Sequence, residues 1–307
     1  MREYKYILTK DDEGSELKDL LKSNFKFSAR LRAKIKREKL LFLNGEEAIP
    51  WLSGDEGDVL SVRIPSETSS FEPENIPVSV IYEDEDILAI NKQPGYICHP
   101  TKGHPNHTMA NGIMKYVLDT NQEFKIRFIN RLDMDTSGIL MIAKNTHSQA
   151  DFMNRQKYSE KRYIAIVNGF LENENGIIDL PIGRPDPERV ERGVMTEEEG
   201  GLPSLTHYKV LDRYSQKTAG GETRDYTLVE VLIKTGRTHQ IRVHMSYIGH
   251  PVLGDYLYGG ENVNLIERQA LHAYRLAFDH PVTGKRIKLE APLPDDILET
   301  IRKLKGK

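Results

Sequence analysis

Residues 130–145 read Asn-Arg-Leu-Asp-Met-Asp-Thr-Ser-Gly-Ile-Leu-Met-Ile-Ala-Lys-Asn, and this stretch decides the fold. Its first half is polar and dense in turn formers. Asp133 and Asp135 flank Met134, and Thr136-Ser137-Gly138 closes the bend. From Ile139 to Ala143 the run is apolar without a break. A short apolar run between turn signals predicts a strand buried on both faces. A carboxylate loop therefore stands at the start of a central strand, where a rigid element places a reacting group better than a loose loop does. An aspartate in a turn ordinarily bonds local backbone. Here Arg131 lies two residues before Asp133, on the same side of an extended chain. A guanidinium beside a carboxylate favours its charged form, and a charged carboxylate can act as a nucleophile.

With 307 residues the chain is long enough for two domains and a full core. A hydrophobic content of 38% and a net charge of −3 fit a globular protein. No apolar run is long enough to span a bilayer, and Met1-Arg2-Glu3-Tyr4-Lys5 does not open a signal peptide, so no membrane partner is expected. The single cysteine, Cys98, excludes an internal disulfide and suits a reducing, cytoplasmic setting. With so balanced a net charge, any footprint for a polyanion must be local.

Residues 1–64 read as a small α/β domain. Ser15 is placed to cap a helix carrying Leu17, Leu20 and Leu21, and Ser28 to cap a second carrying Leu31 and Ile35. Between Lys22 and Lys39 lie eight basic residues, among them Arg30, Arg32, Lys34, Lys36 and Arg37, against one acid, Glu38. Most charge runs are solvated helix faces, but charge this one-sided points to a nucleic-acid backbone. Leu40 to Leu43 and Gly57 to Val62 read as strands, with Asn44-Gly45 as a hairpin turn. Residues 65–77, punctuated by Pro65, Pro73 and Pro77, read as a linker.

The second domain, 78–307, opens with short strands around the acidic turn Glu83 to Asp86, which lacks the ligand spacing of a calcium loop. Cys98, His99, His104 and His107 fall in a loop and match no standard zinc spacing, so no metal is expected. Helices are predicted after Thr108, from a capping box at Thr146 to Gln149 running to about Tyr158, after Thr238, and at the C-terminus. Arg184 to Ser204 breaks all pattern and reads as a long mobile loop. Strands outnumber helices without strict alternation, which predicts an α+β fold with a mixed, mainly antiparallel sheet. No Gly-rich phosphate loop is present, and Ser137 lacks a hydrolase elbow.

Arg131-Leu132-Asp133 with Asp135-Thr136-Ser137-Gly138 resembles the signature of the RluA-type pseudouridine synthases. Lys161-Arg162-Tyr163 resembles the family's tyrosine motif, and Thr235-Gly236-Arg237-Thr238-His239-Gln240-Ile241-Arg242-Val243-His244 its arginine motif. Gly249-His250-Pro251-Val252-Leu253-Gly254-Asp255 with Tyr258-Gly259 follows in the expected order. Asn130 departs from the histidine that many members carry, a residue that is not the family's catalytic group. The resemblance covers about Val78 to Leu304 and implies a catalytic role for Asp133. Tyr163 would stack on the uracil, Arg242 would pair with Asp133, and Arg131 would help fill the gap left by a flipped nucleotide. It implies no cofactor, since isomerising uridine is redox-neutral. The layout of 1–64 resembles the ribosomal-protein-type RNA-binding domain often found ahead of these enzymes.

The expected partner is ribosomal or transfer RNA, bound by a monomer; the leading domain favours large-subunit ribosomal RNA by analogy. Two other readings stand beside it. One is a catalytically idle RNA-binding, ribosome-assembly protein. The other is a glycoside hydrolase, which needs a second, paired carboxylate. His239 and His244 are read as core histidines, and Asp135 as a backbone-bonding turn residue.

Overall fold

The computed structural model describes residues 1–155, 158–217, 221–260 and 264–306. The chain opens with β1 (Arg2–Ile7), α1 (Leu17–Ser23), α2 (Ala29–Arg37), β2 (Leu41–Leu43), β3 (Glu46–Glu47) and β4 (Val59–Ile64). The strands form a four-stranded sheet in the order β1-β4-β2-β3. Both helices lay their leucine and isoleucine stripes onto Leu41, Leu60 and Val62, making a core of their own. Ser28 caps α2, its Oγ accepting from the Leu31 amide at 3.3 Å. Ser15 does not cap α1; the cap position is Glu16. A backbone bridge from Glu16 to Ser53 fixes where that helix starts. Asn44 and Gly45 both have positive φ, 52° and 87°, as a two-residue hairpin of this twist requires.

Residues 65–78 contain no helix or strand, yet they are strapped down. The Ser69 hydroxyl accepts from the Ile126 amide at 2.9 Å. Asn111 Nδ2 donates to the Glu72 carbonyl at 2.8 Å, and Ile76 is buried in the main core.

Beyond this strap come β5 (Ser79–Glu83), β6 (Ile87–Lys92), α3 (Met109–Asp119), β7 (Arg127–Phe128), β8 (Ser137–Ala143), α4 (Thr146–Arg155) and β9 (Glu160–Asn168). Next are β10 (Asn175–Asp179), β11 (Ile182–Gly183), β12 (Gly193–Val194), β13 (Leu205–Lys217), β14 (Thr223–Ile233) and α5 (Gln240–Tyr247). β15 (Leu271–Asp279), β16 (Arg286–Glu290) and α6 (Asp295–Leu304) complete the chain. A ten-stranded sheet runs β10-β13-β14-β9-β15-β8-β6-β5, with β16 on β15 and β7 on β8. Its ladders are antiparallel except β8 with β15. The fold is the α+β class read from the sequence.

Every residue of β8 is buried. Leu140 and Ile142 enter one core, while Ile139, Met141 and Ala143 enter another on the opposite face. Gly138 joins β8 to β15 at close range: its φ is +112°, and a Cβ there would lie 2.3 Å from the Ala273 carbonyl oxygen.

Several sequence readings need correction. Asn145, not Thr146, caps α4, its Oδ1 accepting from the Ser148 amide at 2.8 Å. That helix reaches Arg155; the expected run to Tyr158 crosses positions 156–157, outside the described residues. α5 is preceded by His239 in the left-handed region (φ 58°) rather than capped by Thr238. The 184–204 stretch is not patternless: β12 pairs with β11, and Gly201 packs so tightly on the Met195 carbonyl that no side chain fits.

Cys98 and the histidines of the 98–107 loop form no metal-ligating group among the described residues. Cys98 Sγ donates to the Leu132 carbonyl at 3.3 Å, and His107 bonds Glu74. Asp84, Asp86 and His280 do converge. However, Asp84 accepts from the Ile87 amide and from His280 Nε2, at 2.8 and 2.9 Å, as a hairpin-turn aspartate does.

Candidate active site

The loop 133–136 is held from below by two buried cations. Lys92 has no solvent exposure, and its Nζ donates to the carbonyls of Met134 and Thr136 at 2.7 and 3.0 Å. Burial pushes its ammonium pKa down to about 8. Arg268 donates from Nη1 to the Asp135 carbonyl at 2.8 Å and is anchored by Asp296. The Thr136 amide closes the turn on the Asp133 carbonyl at 3.1 Å. The backbone is thereby fixed, and the Asp133 carboxylate points away from it into a cavity.

Arg242, on α5, meets that carboxylate: Nη1 donates to Asp133 Oδ2 at 3.0 Å. The arginine is gripped from behind by Asp255, Nε to Oδ2 at 2.6 Å and Nη2 to Oδ1 at 2.8 Å. The Arg242 and Asp255 side chains are 5% and 0% exposed, against 24% for Asp133, so the outer acid faces solvent and the inner pair does not. Burial disfavours the guanidinium's charge, but its bonds to Asp255 and the charges of Asp255 and Asp133 outweigh this and raise its pKa above the ordinary value.

His239 Nε2 stands 4.0 Å from Asp133 Oδ1, while Nδ1 bonds the Tyr258 hydroxyl at 2.9 Å. Burial lowers the His239 pKa against the pull of Asp133. The Tyr258 hydroxyl also accepts from the Arg192 amide at 2.8 Å, which ties the 184–204 segment to the site. Tyr163 on β9 forms another wall. It is 8% exposed, and burial followed by the Asp133 charge raises its pKa.

The cavity at Asp133 is about 50 Å³, room for roughly two waters. A larger cavity of about 330 Å³ adjoins it and shares Arg131 and Tyr163. A wider cleft, about 800 Å³, lies elsewhere; its wall carries Glu67, Glu83, Asp84 and Glu85 against Arg127 and Lys144, which are paired to Glu67 and Glu83, a poor seat for a polyanion.

The structure thus brings Asp133, Arg242, Tyr163 and Arg131 together. Arg131, however, does not reach Asp133; its Nη2 donates to the Thr238 hydroxyl across the cavity mouth. The Asp135 carboxylate makes no hydrogen bond among the described residues, so its expected turn bond is absent. His244 is a core histidine, bonded to Thr206 and to the Leu180 carbonyl. The α2 cations divide: Lys34 is paired with Glu67 and Arg37 with Glu38. Arg30 is exposed, Arg32 is half-buried, and Lys36 lies 5.6 Å from the centre of the Trp51 ring.

Sequence reasoning missed Lys92 and Arg268; it quoted Asp255 and Tyr258 within a motif without giving them a role, and it read His239 as a core histidine. A lone lysine ending the apolar strand Ile87 to Ile90 was a usable signal; nothing local marks Arg268.

The class to which the chain belongs is shown by comparison with known proteins. A family model for RNA pseudouridylate synthases matches residues 86–247. An uncharacterised RNA pseudouridine synthase of Bacillus subtilis, YlyB, is 40% identical over 81% of this chain and 80% of its own length. The chain belongs to the RNA pseudouridylate synthase family. Within it the chain is RluA-type and RluD-like: the ribosomal large subunit pseudouridine synthase D of Pasteurella multocida is 34% identical over 95% of this chain and 92% of its own length. A human RNA pseudouridylate synthase domain protein shares the fold, with a TM-score of 0.56 at 24% identity, covering 78% of this chain and 98% of that one. The protein is an RNA pseudouridine synthase, an isomerase.

Proposed function

We propose that this enzyme converts specific uridines of large-subunit ribosomal RNA to pseudouridine, with Asp133 as its catalytic carboxylate. One observation carries the role of Asp133: it is the sole carboxylate in the walls of its cavity among the described residues, and it is met there by an arginine locked from behind. The reaction breaks C1′–N1, turns the uracil and joins C5 to C1′. A single carboxylate assisting glycosidic cleavage meets that demand. A hydrolase would need a second acid across the bond, and Asp135 is not in the wall.

The small cavity must open for a base to enter, which requires a nucleotide extruded from its stack. Tyr163 offers its ring to the uracil. Arg131, released from Thr238, replaces the flipped nucleotide. Relatives named for the large ribosomal subunit, 34–36% identical over most of the chain, favour that RNA over transfer RNA. Residues 1–64 then serve as an RNA-binding domain, with Arg30, Arg32 and Lys36 toward phosphates.

The test is turnover of Asp133→Asn on ribosomal RNA fragments, with circular dichroism as a folding control. Activity should fall on the order of 10⁴-fold or more, the scale for loss of a central catalytic group, with RNA binding retained. Substantial turnover by a folded Asp133→Asn enzyme would show the wrong carboxylate was chosen. Pseudouridine maps of ribosomal and transfer RNA from cells with and without the gene decide the target.

A further inference from the structure

The 330 Å³ cavity beside the Asp133 pocket has a feature the chemistry above does not use. Lys161 and Tyr163 alternate on β9 and so share a face, and both line this cavity with Phe128, Arg131 and Gly236. Lys161 is 8% exposed. Its ammonium reaches Gly236, lying 3.9 Å from where a Cβ on that glycine would stand. No hydrogen bond or carboxylate meets it among the described residues. Burial alone pushes its pKa down to about 8. Lys92 also carries a depressed pKa, yet it is satisfied by three carbonyls. The stem of Lys161 is buried, while its ammonium opens onto the cavity, where no protein group of the described residues compensates its charge. The cavity walls hold two cations, Lys161 and Arg131, and no acid. A wall of that composition lacks an anion.

We propose that this cavity is a phosphate subsite for the RNA backbone adjoining the flipped uridine, with Lys161 as its charged ligand. The proposal rests on the reading of Asp133 as the reacting centre. The shared wall, Tyr163 and Arg131, sets the phosphate beside the base that Tyr163 would stack on. Phe128 gives the cavity an aromatic surface for the sugar next to that phosphate.

The experiment compares wild type, Lys161→Met, Lys161→Arg and Asp133→Asn on one RNA over a range of salt. Lys161→Met should raise KM about tenfold, the worth of one charge-assisted bond, with kcat within about twofold. It should flatten the plot of log(kcat/KM) against log salt by about 0.7, the contribution of one contact to a single strand. Its thermal midpoint should hold or rise, because an apolar chain of similar length fills the space of the buried stem without a partly desolvated charge. Lys161→Arg keeps the charge and should restore the salt slope. If Lys161→Met leaves KM and salt slope unchanged while Asp133→Asn is dead, the subsite is wrong and the catalytic reading stands. If Lys161→Met lowers both the thermal midpoint and kcat, Lys161 is a structural residue and the proposal fails. An active Asp133→Asn enzyme would instead overturn the reading beneath it.

Discussion

Asp255 has no solvent exposure and grips Arg242 through two bonds, so the cation that meets Asp133 cannot shift without it. Breaking a buried pair by removing one partner's charge costs about 3 kcal/mol. Asp255→Asn should therefore lower stability by about that amount, seen in urea unfolding. It should also cut turnover far more than RNA affinity, because phosphates and stacking elsewhere carry the affinity. A variant that loses stability but keeps full turnover would show that Arg242 does not depend on Asp255 for its catalytic placement. At this scale Asp133, Tyr163 and Arg242 were legible, since each stands in a recognisable short motif. Lys92 and Arg268 were not. Their roles arise where segments far apart in sequence meet, Arg268 reaching the Asp135 carbonyl across 133 residues.

The helix α2 shows how pairing inside the protein redistributes a charge run. Lys34 is spent on Glu67, whereas Arg30 is exposed and Lys36 lies over the Trp51 ring with no carboxylate partner among the described residues. Arg30→Ala and Lys36→Ala should each flatten the salt dependence of RNA binding by about 0.7–0.9 in log–log slope. Lys34→Ala should change it less. Equal effects from all three in a filter-binding titration would mean that Glu67 releases Lys34 to the RNA. Among elements, β8 was readable because an apolar run buried on both faces has no other home. The strands β1, β3, β11 and β12 were not: β1 alternates charge with tyrosine, and the others are two residues long. Helix starts were misplaced by a residue where backbone bridges or a left-handed residue, rather than a hydroxyl, set the cap.

Across the whole molecule, Glu67 ties the N-terminal unit to the large sheet, accepting from Lys34 at 3.1 Å and from Arg127. Burial raises its pKa, but the bond to Lys34 and the charge of Arg127 more than reverse this and hold it below the ordinary value. A lowered folded-state pKa means the link is fully present above the ordinary glutamate value and lost as pH falls through the lowered one, below about pH 4. Glu67→Gln should loosen the tie at neutral pH, so that proteases cut the 65–77 strap faster than in wild type. An unchanged cutting rate would leave the strap held by Ser69, Asn111 and Ile76 alone. The parallel seam of β8 and β15 has a consequence in time. It joins Ser137 to His272 and Gly138 to Ala273 across 135 residues of chain. Asp133 is mounted on one side of this seam and Arg242 on the other, so a chain emerging from the ribosome carries both residues long before it can assemble them. The enzyme should be born inactive and switch on as its last strands are made. In pulse-labelled hydrogen exchange during refolding, the end of β8 that meets β15, Ser137 and Gly138, should gain protection no earlier than β15, whereas Ile139 to Ala143, paired with β6 and β7, need not wait for it.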